Sequence, residues 1–349
     1  MARVGISDVA EAAGVSEATV SRVINNRGIV APTTRKTVED AMRRVGYSKA
    51  STSNVVLLIT PGLTDPFFAQ LCERLGEGLN TQGFRGVIAS APGGSSQEFD
   101  FIAAMADLGI VGAVFVSASN TLDEADPSVP NLLAMREIPF VCINGAFPRV
   151  PSPTLSTNDD VAARIAVDHL WSLGHRRIGL AAGPIGNRPS DRRARGFLRG
   201  VQDVGGLAAA DSCPIVHTEY STEGGYAATE TLLGRGVTAI VAASDEMALG
   251  VIRAARRRGI SVPAELSVIG YDDALPLDFV EPPLTTLRQP IDRLSQAVVA
   301  LLTRMVHRRP VENGELLFEP ELIRRASTAP VASDWEPANA ARTSSGFPS

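Results

Sequence analysis

From Val55 onward the chain alternates short apolar runs with amphipathic stretches, and this rhythm restricts its architecture more than any other feature. VVLLIT, GVIAS, GAVFVS and PFVCIN are strand-length runs, with helical patterns over 66–82 and 96–108 between the first of them. A second cycle starts near Asn158: a helix to Leu173, RRIGLAAG, a helix over 191–204, CPIVH, a helix over 223–233, AIVAAS, a helix over 246–258, and LSVIGYDD. Strand–helix alternation builds a parallel sheet with helices on both faces, so two cycles predict an α/β body of two lobes. Ligands of such sheets collect at the carboxyl ends of the strands, which places the expected binding cleft between the lobes.

The first 47 residues follow a different period and predict a separate, all-α unit. Val9, Ala10 and Ala13 recur at helical spacing, Ser7 is the expected cap, and Gly14 supplies the left-handed residue that ends the helix. Ser16 caps a second helix over 17–25, with Val20, Val23 and Ile24 on one face and Glu17, Ala18, Ser21, Arg22 and Asn25 on the other. A third helix from Thr33, entered through Pro32, brings Val38, Ala41, Met42 and Val45 to close a small core. Two short helices joined by a tight Gly turn make the helix-turn-helix whose second helix enters the major groove. Residues 1–49 carry more Lys and Arg than Asp and Glu although the whole chain has a net charge of −5, so a basic head sits on an acidic body. That asymmetry fits phosphate contact at one end only.

The runs ISDVAEAAGVSEATVSRVINN and VAPTTRKTVEDAMRRVGY closely resemble the headpiece of the LacI/GalR family of bacterial repressors. TDPFF, ASDEMALG, LSVIGYDD and PPLTTLRQP are similar to that family's regulatory domain, itself related to periplasmic sugar-binding proteins. The resemblance implies a sequence-specific transcriptional regulator, most simply a repressor, acting as a homodimer on a palindromic operator. A small effector, a sugar or sugar derivative, would bind between the lobes. It divides the chain into a DNA-binding domain over 1–47, a linker over 48–54, and an effector and dimerisation domain over 55–328 with crossings near 157, 289 and 320. Residues 329–349, rich in Pro, Ser and Ala, read as a disordered tail.

For the DNA the resemblance implies base reading by Glu17, Ala18 and Arg22. Arg22 can pair bidentately with guanine, Glu17 can accept from cytosine and Ala18 can touch a thymine methyl. Ser7, Ser16, Thr19, Ser21, Asn25 and Thr34 are placed as phosphate contacts that set register. For the effector it implies Phe67, Phe68, Ser117, Ser119 and Asn144 from the first lobe, and Arg193, Tyr220, Ser244 and Asp272 from the second. An Arg and an Asp can bind adjacent hydroxyls while an aromatic ring covers an apolar sugar face. Asp273 competes with Asp272 for that role. Thr157 and Asn144 are neutral where relatives often carry acids, which opens a second option, an anionic effector drawn to Arg193.

One segment departs from the family. Relatives usually follow the headpiece tyrosine with P-x-x-x-A-R-x-L, a hinge helix that wedges a leucine into the minor groove. Here Tyr47 is followed by SKASTSN and then by the first strand. This short Ser-rich connector predicts loss of intercalation, weaker bending of the DNA, and an effector signal passed by reorienting the dimer. A sensor that has lost DNA binding, or an activator, are the alternatives this departure leaves open.

No HExxH, GxSxG, P-loop or strand-linked GxGxxG motif occurs, so neither catalytic residues nor a metal or cofactor is expected. Cys72, Cys142 and Cys213 are odd in number and far apart, which reads as reduced packing residues. His175, following Gly174, reads as a helix-end cation facing the dipole. The N-terminus lacks an apolar signal segment and no run is long enough to span a bilayer, so the expected location is the cytoplasm.

Overall fold

The computed structural model describes residues 5–24, 30–45, 54–90, 96–274 and 276–331. Asn25, most of the connector and residues 332–349 lie outside them. The chain divides into a small N-terminal unit and a large unit beginning at Val55.

The small unit has three helices, α1 (Ile6–Ala13), α2 (Glu17–Ile24) and α3 (Pro32–Val45). Val9, Ala10, Val20, Val23, Val38 and Ala41 form its core, with Val15 and Met42 packed against them. Gly14 ends α1 at φ 66°, its amide reaching the carbonyls of Ala10 and Glu11. Ser16 caps α2 by accepting the Thr19 amide at 3.2 Å. The cap expected at Ser7 is corrected. The chain already turns helical after Gly5, whose amide donates to Asp8 Oδ2 at 2.6 Å, which leaves Ser7 exposed inside the first turn. Similarly, α3 starts at Pro32 rather than Thr33, because a first-turn proline lacks only an N–H that would have had no partner.

In the large unit the elements run β1 (Val55–Thr60), α4 (Pro66–Thr81), β2 (Arg85–Ser90), α5 (Ser96–Asp107), β3 (Gly112–Val116), α6 (Ser128–Met135), β4 (Phe140–Ile143) and β5 (Thr154–Thr157). They continue with α7 (Asp159–Ser172), β6 (Ile178–Ala182), α8 (Arg188–Gly205), β7 (Ile215–His217), α9 (Thr222–Gly234), β8 (Ala239–Ala242), α10 (Asp245–Arg257) and β9 (Ser267–Asp272). Last come β10 (Thr285–Arg288), α11 (Ile291–Val306), β11 (Glu315–Phe318) and β12 (Glu321–Ile323). Two six-stranded sheets result, ordered β11-β5-β4-β3-β1-β2 and β12-β10-β9-β8-β6-β7. All pairs are parallel except β10 with β12.

The strands read as unbroken apolar runs because both faces of each sheet are covered. Along β1, Val56 and Leu58 pack under α4 and α11, while Leu57 and Ile59 point to the opposite face, under α5. The second sheet is sandwiched likewise between α7 with α8 and α9 with α10. Helices α9 and α10 cross closely at two glycines: a Cβ on Gly225 would stand 2.1 Å from the Met247 carbonyl oxygen, and one on Gly250 2.1 Å from that of Thr222. The chain passes between lobes after β5, after β10 and after β11. Helix α11 therefore returns to the first lobe, where Leu294, Val298 and Leu302 join its core.

The three cysteines are free and buried, and burial pushes the Cys142 thiol up to about 12. No described helix is long and apolar enough to cross a membrane. His175 corrects another expectation. It is 3% exposed, with Nδ1 bonded to Thr238 Oγ1 at 2.8 Å and Nε2 within 3.0 Å of both Ser267 Oγ and the Ala329 carbonyl. Burial lowers its pKa from 6.5, so it is a neutral cross-link and not a helix-end cation. The unfolded chain then protonates first as pH falls. His175's contribution to stability is complete above about pH 6.5 and declines below it. Asp245, raised by burial to about 7, acts in the opposite sense over the same range. The readout is therefore the difference in urea midpoint between wild type and His175→Gln, which should shrink from pH 7.5 to pH 5. A constant difference would show that His175 does not titrate differently on unfolding.

Candidate functional site

The main cleft lies within the large unit, where loops after the strands of both lobes converge, and has a volume of about 270 Å³. Its lining comes from the turn after β1, the ends of β3, β4 and β9, the start of α8, the loop after β7, the start of α10 and the second crossing.

Asp65 caps α4 by accepting the Phe67 amide at 2.9 Å, and this turn sets Phe67 and Phe68 edge to face at 5.3 Å. Phe67 is buried in the core while touching the cleft, and Phe68 stays half-buried. Ser117 and Asn144 leave their strands in left-handed conformations, φ 54° and 64°, and the Asn144 amide donates to Ser117 Oγ at 2.9 Å. Asp272, at φ 120°, ends β9 beneath the opposite wall, where its Oδ1 accepts from Gln289 Nε2 at 2.7 Å. Thr157 Oγ1 donates to Gln289 Oε1 at 2.5 Å, and the Thr157 amide reaches Asn144 Oδ1 at 3.4 Å. A continuous polar chain thus runs from Asp272 through Gln289, Thr157 and Asn144 to Ser117, spanning both lobes by way of two crossings. The neutral residues at 144 and 157 are working members of it.

Arg193 anchors the second lobe. Its Nε lies 2.8 Å from Asp159 Oδ1, its Nη1 donates to the Ala243 carbonyl at 2.5 Å, and its guanidinium stacks 3.6 Å from the Tyr271 ring centre. Tyr271 also donates to Asp159 Oδ1, at 2.7 Å. Tyr220 stands 3.5 Å from Nη1 and faces the cleft. Ser244 lines the cleft while capping α10 through the Met247 amide.

Three carboxyl groups line this space, Asp65, Glu246 and Asp272. Burial raises the pKa of each, and for Asp272 the nearby charges of Asp65 and Asp245 add to the effect. The cleft is accordingly rich in acids, and its buried cation is already neutralised by Asp159. These acids make the cleft richer in carboxyl groups than the neutral residues at 144 and 157 suggest.

Of the nine residues put forward for the cleft, eight line it together and Ser119 does not. After β3 the chain folds into a short 3-10 turn that buries Ser119, whose Oγ donates to Glu98 Oε1 at 2.5 Å, and presents Thr121 to the cleft instead. Asp273 turns away, paired with Arg288 at 2.7 Å and Arg325 at 2.8 Å. Asp65, Glu246 and Gln289 were missed although each sits inside a quoted motif, TDPFF, SDEM or LRQP. Helix N-cap and first-turn acids carry a ready structural explanation that hides a second use.

In the small unit, α2 buries Val20 and Val23 and leaves Glu17, Ala18 and Arg22 exposed on the opposite side, with Ser21 half-buried beside them. Ser16 Oγ and Thr19 Oγ1 are 2.9 Å apart at the start of this helix, and Ser7 is exposed while Thr34 is half-buried.

Residues 5–49 match the model of bacterial regulatory proteins of the lacI family, and residues 167–328 that of a periplasmic binding protein-like domain. The chain is 42% identical over 331 residues to the HTH-type transcriptional regulator MalR of Streptomyces coelicolor, covering 93% of this chain and 96% of the relative. It is 32% identical to the HTH-type transcriptional repressor CytR of Escherichia coli, with the same coverage. Among solved structures, a complex of the transcriptional regulator CelR with cellobiose is 29% identical with a TM-score of 0.70, covering 93% of this chain and all of that one. The lac repressor dimer bound to operator and an anti-inducer is 26% identical with a TM-score of 0.69, covering 94% and 100%.

Proposed function

The chain belongs to the lacI family of bacterial regulatory proteins and is a DNA-binding transcriptional regulator, and from this we propose that it is a repressor governed by a neutral sugar held in the main cleft. The carrying observation is that Arg193 is already paired with Asp159 while Asp65, Glu246 and Asp272 face the same space. Carboxyl groups and amides spaced around a cleft accept from and donate to hydroxyls, whereas the buried guanidinium, already paired with Asp159, has little charge left to offer an anion. Phe68 and Tyr220 supply the apolar surface that a sugar ring face needs. The CelR relative solved with cellobiose supports a saccharide as the ligand class.

On the DNA side, Arg22 with Glu17 and Ala18 reads bases, and Ser7, Ser16, Thr19, Ser21, Asn25 and Thr34 position the helix on phosphates. A homodimer on a palindromic operator, working in the cytoplasm, completes this reading, since one headpiece buries little surface by itself. We assign the domain limits to 1–47, 48–54 and 55–328; of the segment 329–349, Ala329 and Val331 are tied to the body through His175 and the Leu173 carbonyl.

Thermal shift of the full chain against a panel of neutral mono- and disaccharides and their phosphates is the direct test. At a hundredfold excess over Kd a specific ligand stabilises the fold by about 2.7 kcal/mol. A neutral sugar is expected to raise the melting temperature, and Asp272→Asn to abolish that rise. A panel in which only phosphorylated sugars act through the main cleft would overturn the assignment.

A further inference from the structure

A second cavity of about 410 Å³ opens on the flank of the large unit, between the loop after β4, the start of β11 and the first turn of α8. Arg149, Arg188 and Arg192 line it, with Glu315 as the one carboxylate. Glu315 is occupied: Arg192 grips it at 2.6 and 2.8 Å, and Ser156 Oγ donates to it at 2.6 Å. Arg188 reaches an acid only outside the cavity, at 3.4 Å, and that partner, Asp123, is itself largely exposed. Arg149 has no ion pair among the described residues and stands exposed in the turn after β4, at φ 66°. Three guanidiniums face one engaged carboxylate on the walls, and with Arg188 balanced from outside by Asp123 the charge of Arg149 is left in surplus.

We propose that this cavity is an anion site for a compact phosphate-class dianion, distinct from the main cleft. The guanidinium fork matches phosphate oxygens two at a time, and the side chains of Arg188 and Arg192 are only 27% and 22% exposed, so solvent screens them less than surface cations. Arg149 and Glu315 belong to the first lobe and Arg188 and Arg192 to the second. An anion held here touches both lobes and supplies a second input to the spacing between them. The charge balance is the reverse of the main cleft, so the protein separates recognition of hydroxyls from recognition of phosphate.

The test is calorimetric titration of the full chain with inorganic phosphate, with ionic strength held constant by chloride. A hexose monophosphate and the same hexose without phosphate are titrated in parallel. Saturable phosphate binding is expected, weakened at least fivefold by Arg149→Ala and by Arg188→Gln. Glu315→Gln removes the competing charge and should tighten binding several-fold, a direction that a damaged fold would not produce. Asp272→Asn, in the main cleft, should leave phosphate affinity unchanged. Tighter binding of the hexose phosphate through the same arginines would identify an ester as the ligand, and equal binding the free anion. The proposal is overturned if phosphate does not saturate, if the arginine variants bind like wild type, or if Asp272→Asn eliminates phosphate binding.

Discussion

Asp159→Ala is expected to destabilise the large unit by about 3–5 kcal/mol, the usual range for removing one partner of a buried ion pair. The cost does not come from a lost attraction alone. Arg193 is 7% exposed and remains charged under all accessible conditions, so without Asp159 its guanidinium would be left in the interior with no directly paired carboxylate, held by the Ala243 carbonyl, the Tyr220 hydroxyl and the Tyr271 ring. The Tyr271 hydroxyl would lose its acceptor in the same step. In a unit of this size such a loss lowers the melting temperature by on the order of 10 °C. The compensating double variant, Asp159→Leu with Arg193→Met, removes both charges and is expected to recover most of the stability while failing to bind effector. That result separates the role of Arg193 in shaping the cleft from its role in holding the lobe. Melting of Asp159→Ala within about 1 kcal/mol of wild type would show that water reaches Arg193, contrary to the burial seen here.

The pair also illustrates what was legible in the sequence. Strand–helix alternation identified both lobes, since a buried parallel strand and an amphipathic helix leave opposite periodic marks. The helix-turn-helix was equally plain from Gly14, Ser16 and the apolar spacing around them. The final elements were harder. Strand β10 lies within PPLTTLRQP, which looks like a loop, and α11 belongs to the first lobe although it follows the second, which no local pattern announces. Within the cleft, the residues at strand ends came from the family resemblance, while Asp159 was not legible, because a first-turn acid on α7 looks like ordinary dipole stabilisation until Arg193 is seen against it. Ser119 failed for a related reason. Its strand was found, but the 3-10 turn after it changes which of two nearby hydroxyls points inward. The neutral residues at 144 and 157 suggested an acid-poor pocket, whereas Asp65 and Glu246 enter it from the starts of helices that begin at the cleft itself.

Arg22→Ala is expected to weaken operator binding by about 1–3 kcal/mol, roughly fivefold to over a hundredfold, while leaving the fold intact. The side chain is exposed on α2, opposite Val20 and Val23, so its removal opens no cavity in the small core. The informative measurement compares operator with unrelated DNA across salt concentrations. A base-reading arginine should lose affinity on the operator far more than on random sequence, whereas a phosphate contact would lower both alike and reduce the salt slope by about one unit. Glu17→Ala should give a smaller change of the same kind, confined to one base step. The connector sharpens this prediction. In SKASTSN no leucine is available to wedge between base pairs, so α2 has to supply a larger share of the discrimination than it would in a regulator with a hinge helix. Circular dichroism on operator binding should then show no sizeable gain of helix, and the bend in the DNA should be slight. If Arg22→Ala lowered operator and random affinity equally, or if new helix formed on the operator, recognition would have to rest on a segment other than α2.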